Sequence, residues 1–139
     1  MNIERTRITG GFWYGRMKNA ASRVLWEQLA ILKGERPELA HPSPVVENFR
    51  IAAGISKGPY QGRVYSDSEL GKWIEAASYS LERFEDPALE REIDALVDLM
   101  IKAQMSDGYL NTYFQVLRPQ DRLKHYAFSC ELYNMGHLM

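Results

Sequence analysis

Cysteine is nearly absent. Cys130 is alone in a chain of 139 residues, so no internal disulfide can staple the fold. An excess of either charge is also missing: 17 Lys and Arg stand against 18 Asp and Glu, for a net charge of −1. That balance gives no electrostatic reason to expect a nucleic acid or an anionic membrane as partner. No stretch approaches the run of about 18 apolar residues that a membrane helix needs. The N-terminus does not read as a signal peptide, because Arg5 and Arg7 lead into Gly10-Gly11 and an aromatic cluster rather than an apolar core. Low-complexity segments and short exact repeats are lacking too. Together these absences predict a soluble chain in a reducing, cytoplasmic setting, with neither nucleic acid nor membrane as partner.

What is present suits a globular domain: 45% hydrophobic, 25% charged and 12% aromatic residues, in a chain long enough to bury a sizeable core. Residues Met1 to Phe12 predict a short extended arm. From Arg16 to Lys33, Met17, Ala21, Val24, Leu25, Leu29 and Leu32 recur at helical spacing, and Gly34 supplies a stop. Three prolines mark Arg36 to Pro44 as a loop. Ser43-Pro44 then predicts a cap and first-turn proline for a helix through Val45, Phe49 and Ala52.

Two longer helices follow. Ser66 with Glu69 has the spacing of a capping box, and behind it Leu70, Trp73, Ile74, Ala77, Leu81 and Phe84 form one apolar stripe. Asp86-Pro87 opens the next helix, striped by Leu89, Ile93, Leu96, Val97, Met100 and Ala103. The short link predicts an antiparallel hairpin. Ser106-Asp107-Gly108 reads as a turn, Tyr109 to Phe114 as an extended aromatic segment, and Arg118 to Lys124 as polar loop. A last helix is predicted from near Ser129, about three turns long, with no stop signal before Met139. Its final carbonyls and apolar face want neighbours, which reads as a truncated gene product. The class is all-α, built of helix pairs.

Hydrolysis calls for two carboxyl groups, or a carboxyl and a nucleophile, facing each other across a cleft. The candidates are Asp67 and Glu69 at a helix start, Asp107 in the turn, and Glu131 on the last helix. Each also has a plain structural use: acids complement a helix N-terminus by about 0.3–1 kcal/mol, and Asp before Gly is a common turn acid. Cys130, Glu131 and His137 are the only local group with metal-ligand chemistry. If all three share a helix, residues 130 and 137 sit about 10 Å apart along its axis, too far for one ion. Phe12, Trp13, Tyr65, Trp73, Tyr109, Tyr113, Tyr126 and Tyr133 fall in or beside loops, where rings can stack on the C–H faces of sugars or simply fill a core.

Three segments in order carry more than their composition: GRVYSDSELGKWIEAASYSL from Gly62 to Leu81, QMSDGYLNTYF from Gln104 to Phe114, and CELYNMGHLM from Cys130 to Met139. Together with Phe12-Trp13 and NFRIAAG from Asn48 to Gly54, they closely resemble glycoside hydrolase family 127, which contains β-L-arabinofuranosidases. The resemblance spans nearly the whole chain and implies an (α/α)6 barrel followed by β-sandwich domains, of which this chain would be the N-terminal barrel portion. It further implies removal of terminal β-L-arabinofuranose from plant-type glycans with retention, using a cysteine nucleophile, a glutamate acid/base and a zinc ion. Those family residues fall beyond the position of Met139, so the resemblance assigns no catalytic residue, metal ligand or cofactor here, and implies zinc only for the longer parent.

The resemblance does carry over part of a sugar-pocket wall. Family members often have histidine where this chain has Cys130; the smaller thiol, a weak donor, implies altered sugar contacts. Glu131 and His137 match that motif, and Asp67, Tyr109 and Asn111 match motifs near loop ends. The expected substrate-binding set is therefore Cys130, Glu131, His137, Asp67, Tyr109 and Asn111, with a carbohydrate as partner. Self-association through an incomplete barrel face is a further expectation. A different (α/α)-barrel carbohydrate-active enzyme and a non-catalytic helical binding scaffold are the competing readings.

Overall fold

The structure is a computed structural model and describes residues 7–39 and 43–139. Every regular element among the described residues is helical. The helices are α1 (Gly11–Asn19), α2 (Leu25–Leu32), α3 (Val45–Ala52), α4 (Asp67–Leu81), α5 (Pro87–Ala103), α6 (Thr112–Leu117), α7 (Tyr126–Ser129) and α8 (Glu131–His137). A π-helical turn, Ala20–Val24, joins α1 to α2, and a 3-10 turn, Pro119–Asp121, follows α6.

α4 is the hub, touching α2, α3, α5 and α8, while α3 also meets α5 and α6. Its stripe behaves as the spacing predicts: Leu70, Trp73 and Ala77 are buried, with Ile74 and Leu81 packed at the margin. Trp73 finds a partner for its indole, Nε1 donating to the Leu25 carbonyl at 2.9 Å, which ties α4 to α2. α5 adds Leu89, Leu96 and Ala103; α2 adds Leu25, Leu29 and Leu32; α3 adds Val45 and Phe49. Burial of these side chains at about 25 cal/mol per Å² is the main force holding the layers together. The contact between α4 and α5 agrees with the hairpin read from their short link.

Several local expectations are corrected. The helix starts at Gly11, so Phe12 belongs to α1 and not to an extended arm; residues 1–6 of that arm lie outside the described residues. Val24 is exposed, because the π turn adds a residue to the helical repeat and rotates the stripe away from it. Val97, read as part of the α5 stripe, is likewise exposed.

The capping box does not form. Ser66 is itself helical in conformation, its Oγ accepts from the Arg63 amide at 3.0 Å, and Glu69 accepts from the Ser43 hydroxyl at 2.6 Å. Ser43 is thereby drawn off the α3 N-terminus, where Pro44 takes the cap position. Ser43 and Glu69 are drawn to each other across the fold, while Ser66 turns back to the loop just before α4. The Asp86 cap, by contrast, forms as read, with Oδ1 accepting from Ala88 and Leu89 at 3.0 and 3.1 Å.

The segment read as extended from Tyr109 turns helical at Thr112, because Asn111 caps α6 by accepting from the Phe114 amide at 3.3 Å. The final helix begins at Glu131 rather than near Ser129 and runs only 7 residues, since Cys130 breaks it off from α7 with φ 49°.

Candidate functional site

Four of the six residues singled out from the sequence converge where the N-terminus of α4, the 109–112 segment and α8 meet. Asp67, Asn111 and Glu131 have no exposed surface, and Tyr109 is 2% exposed. Asp67 accepts two short bonds from Thr112, one from the backbone amide and one from Oγ1, both 2.6 Å. Burial raises its carboxyl from the usual 3.8 to about 6, although the Thr112 bonds pull the other way. The carboxylate thus holds α6 against α4.

Glu131 is the second buried carboxyl. Its Oε1 accepts from the Tyr109 hydroxyl, and both oxygens accept from the Leu123 amide at 3.0 Å. Burial and then the Glu131 contact push the Tyr109 phenol well above its ordinary range, so it remains a donor at any physiological pH. The Arg122 guanidinium lies over the Tyr109 ring at 3.7 Å and reaches Asp107 at 2.7 Å. Asp107 also serves the turn, accepting from the Tyr109 amide at 3.1 Å next to Gly108, whose φ of 84° requires glycine-like freedom. Asn111 donates its backbone amide to Gln115 Oε1 at 2.8 Å, and its Nδ2 has no partner among the described residues.

The remaining two residues stand apart from this buried layer. Cys130 is exposed, at the left-handed joint between α7 and α8. His137 is half-buried at the end of α8 and meets Tyr133 edge-to-face, with ring centroids 4.7 Å apart. The two no longer share a helix.

Sequence reading missed three participants: Asn134, Thr112 and Arg122. Asn134 is wholly buried; its Oδ1 accepts from the Ser68 amide at 2.9 Å and its Nδ2 donates to the Val64 carbonyl at 2.8 Å. It therefore caps α4 from another helix. Its spacing of three from Glu131 puts both polar side chains on one helical face, a pattern that marks a face turned to buried polar partners. Nothing local in the sequence marks Thr112 or Arg122.

One hollow borders the site. A pocket of about 270 Å³ is lined by Met105, Tyr109, Phe114, Gln115 and Arg122 among others, and Glu131 is not part of its wall. A larger groove of about 370 Å³, between α2 and α4, shares none of the six singled-out residues.

A zinc ion would need several convergent donors. Among the described residues no group of three or more His, Cys, Asp or Glu could hold a metal, and the oxygens of Glu131 already have donors. These residues do not fit a zinc site, and no chemistry is routed through one.

Comparison with known proteins gives a consistent picture. The family model for the β-L-arabinofuranosidase GH127 catalytic domain matches residues 5–139. The non-reducing end β-L-arabinofuranosidase of Bifidobacterium longum subsp. longum is 33% identical over 145 residues, taking in 94% of this chain and 22% of that protein. Among solved structures, a GH127 β-L-arabinofuranosidase from Geobacillus stearothermophilus T6 is 40% identical with a TM-score of 0.90, over 94% of this chain and 20% of that one. A second, described as a GH127 β-arabinofuranosidase, is 28% identical with a TM-score of 0.76, over 94% of this chain and 21% of that one. The chain thus spans about a fifth of the length of these relatives. No helix among the described residues is long and apolar enough to cross a membrane.

Proposed function

The chain belongs to the family of the β-L-arabinofuranosidase GH127 catalytic domain, and from that premise we propose that it forms the N-terminal part of an (α/α)6 catalytic barrel in a retaining glycosidase. The parent would act on terminal β-L-arabinofuranose of plant-type glycans. The rest of the barrel, the β-sandwich domains, the catalytic cysteine and glutamate, and the zinc site would come from sequence beyond these 139 residues. The observation that carries the proposal is the superposition on a GH127 β-L-arabinofuranosidase at a TM-score of 0.90 over 94% of the chain.

The geometry says what this segment would contribute. Glycoside hydrolysis needs one carboxyl free to protonate the leaving oxygen and a second group placed to attack or to activate water. Asp67 and Glu131 are buried, with their oxygens engaged by Thr112, Tyr109 and Leu123. Neither is placed for that work, so this segment would supply no acid and no nucleophile. Cys130, exposed at the joint before α8, is the member of the set best placed to face a sugar, with His137 at the other end of that helix. Asp67, Tyr109, Asn111 and Glu131 would fix the wall behind them. A sugar ligand also suits the near-neutral charge of the chain, and a lone free thiol suits a cytoplasmic location.

Activity separates this reading from its competitors. The parent enzyme, folded and loaded with zinc, should release p-nitrophenol from p-nitrophenyl β-L-arabinofuranoside, and the 139-residue chain should not. Turnover by the short chain would overturn the division of labour; a folded, zinc-loaded parent that releases nothing would point to another barrel activity.

A further inference from the structure

Two non-glycine residues among those described have positive φ: Leu123 at 58° and Cys130 at 49°. For residues with a Cβ this conformation is strained, and it persists only where the surroundings fix it. Leu123 is bonded through its amide to the Glu131 carboxyl, and Cys130 immediately precedes Glu131 in the chain. Between these two joints runs a segment whose aromatic rings face solvent, Tyr126 being 58% exposed and Phe128 89% exposed. Glu131 itself has no exposed surface and is also held by Tyr109, which donates to Oε1 and whose ring is covered by Arg122.

We infer that Glu131 is a positioning residue: its buried carboxyl pins the left-handed joint at Leu123, its own backbone anchors the joint at Cys130, and together these fix how the Leu123–Cys130 segment presents the Cys130 thiol and the α7 aromatics. The pin works by satisfaction of a buried group. Glu131 has no way to meet water, so opening the loop at Leu123 strips a buried acceptor of one donor, a costly change in a low-dielectric interior. Tyr109 keeps the carboxyl from following the loop outward. That this loop faces a sugar rests on the function proposed above; the pinning does not, and its test needs no turnover.

Because Cys130 is the sole cysteine, its reaction with a neutral aromatic disulfide reports on this loop alone. Trypsin cleavage after Lys124 gives an independent reading. Tyr109→Phe removes one donor to Glu131, and Glu131→Gln keeps one acceptor oxygen but turns the other into an NH2 donor that cannot accept from Leu123. Each should speed tryptic cleavage at Lys124 by about tenfold and shift the Cys130 reaction rate by a similar factor. Asn48→Ala serves as the control. Asn48 clamps a different loop, donating to the Gln61 carbonyl at 2.7 Å and accepting from its amide at 3.0 Å. It should lower global stability without moving either rate under native conditions. Unchanged rates in a folded Tyr109→Phe protein would overturn the inference, as would equal acceleration in Asn48→Ala. If Glu131→Gln fails to fold, the Tyr109→Phe result decides alone. An inactive parent enzyme with these rates confirmed would leave the pin standing and remove only the proposed function.

Discussion

At the scale of single residues, the acids divide by burial and not by position in the helix. Asp67 and Glu69 sit two apart at the start of α4, and both read from the sequence as acids complementing a helix N-terminus. Only Asp67 is fully buried, and burial moves its carboxyl up to about 6. The folded state then holds its proton more tightly than the unfolded chain. Stability therefore falls as pH rises from about 4 to about 6 and levels off above, the total change being at most about 3 kcal/mol. Urea unfolding measured across that range should show the decline, and Asp67→Asn should flatten it while preserving an acceptor for the Thr112 amide. Asp107, whose carboxyl the Arg122 bond holds below its usual range, acts in the opposite sense at lower pH, so the difference between wild type and variant isolates Asp67. A variant that keeps the full slope would show that Asp67 is not its source. The sequence marked Asp67, Tyr109, Asn111 and Glu131 through motifs, but not their mutual bonds. Pairings such as Tyr109 with Glu131 or Asp67 with Thr112 join residues far apart in the chain, and no local spacing encodes them.

At the scale of elements, apolar stripes and one cap were legible because both depend on neighbours within a turn or two. Asp86 bonds within its own helix start and caps α5 as its spacing predicts, whereas Ser43, Ser66 and Glu69 found partners other than the caps read for them. The close docking of α8 on α4 had no local signal beyond a glycine in an otherwise regular helix. At Gly71 an added Cβ would overlap the His137 carbonyl oxygen and lie 2.9 Å from its carbon, so α8 can approach only because α4 lacks a side chain there. Gly136 on α8 faces open space. The same substitution should therefore have opposite signs at the two sites. Gly136→Ala gains helix propensity of up to about 1 kcal/mol. Gly71→Ala gains the same but must push back a backbone group, and overpacking of about 1–3 kcal/mol outweighs it. Thermal melts should show Tm raised for Gly136→Ala and lowered for Gly71→Ala. A stabilised Gly71→Ala would mean that the two helices do not pack this closely.

At the scale of the whole molecule, the core is laid down by α2 through α5, and a good deal of apolar surface is left outside it. α1 has no buried residue, and Phe12 and Trp13 stand 71% and 67% exposed, edge-to-face at 5.1 Å. Ile101 on α5 is 62% exposed, and Phe128 and Leu132 around the α7–α8 joint are 89% and 56% exposed. Single exposed apolar residues are ordinary, but adjacent aromatics on a helix with no buried face are a patch that water disfavours. The chain alone should therefore associate as concentration rises. Because the contact would be apolar and the net charge is only −1, added sodium chloride should not dissolve the association and sulfate should strengthen it. Sedimentation velocity over a hundredfold range of concentration would read this directly, with Phe12→Ser/Trp13→Ser as the variant that relieves it. Both rings are mostly exposed, so the double substitution should leave the melting transition in place while lowering the weight-average mass at high concentration. A chain that stays monomeric throughout would show that these aromatics are tolerated singly, as surface residues of a self-sufficient helical module.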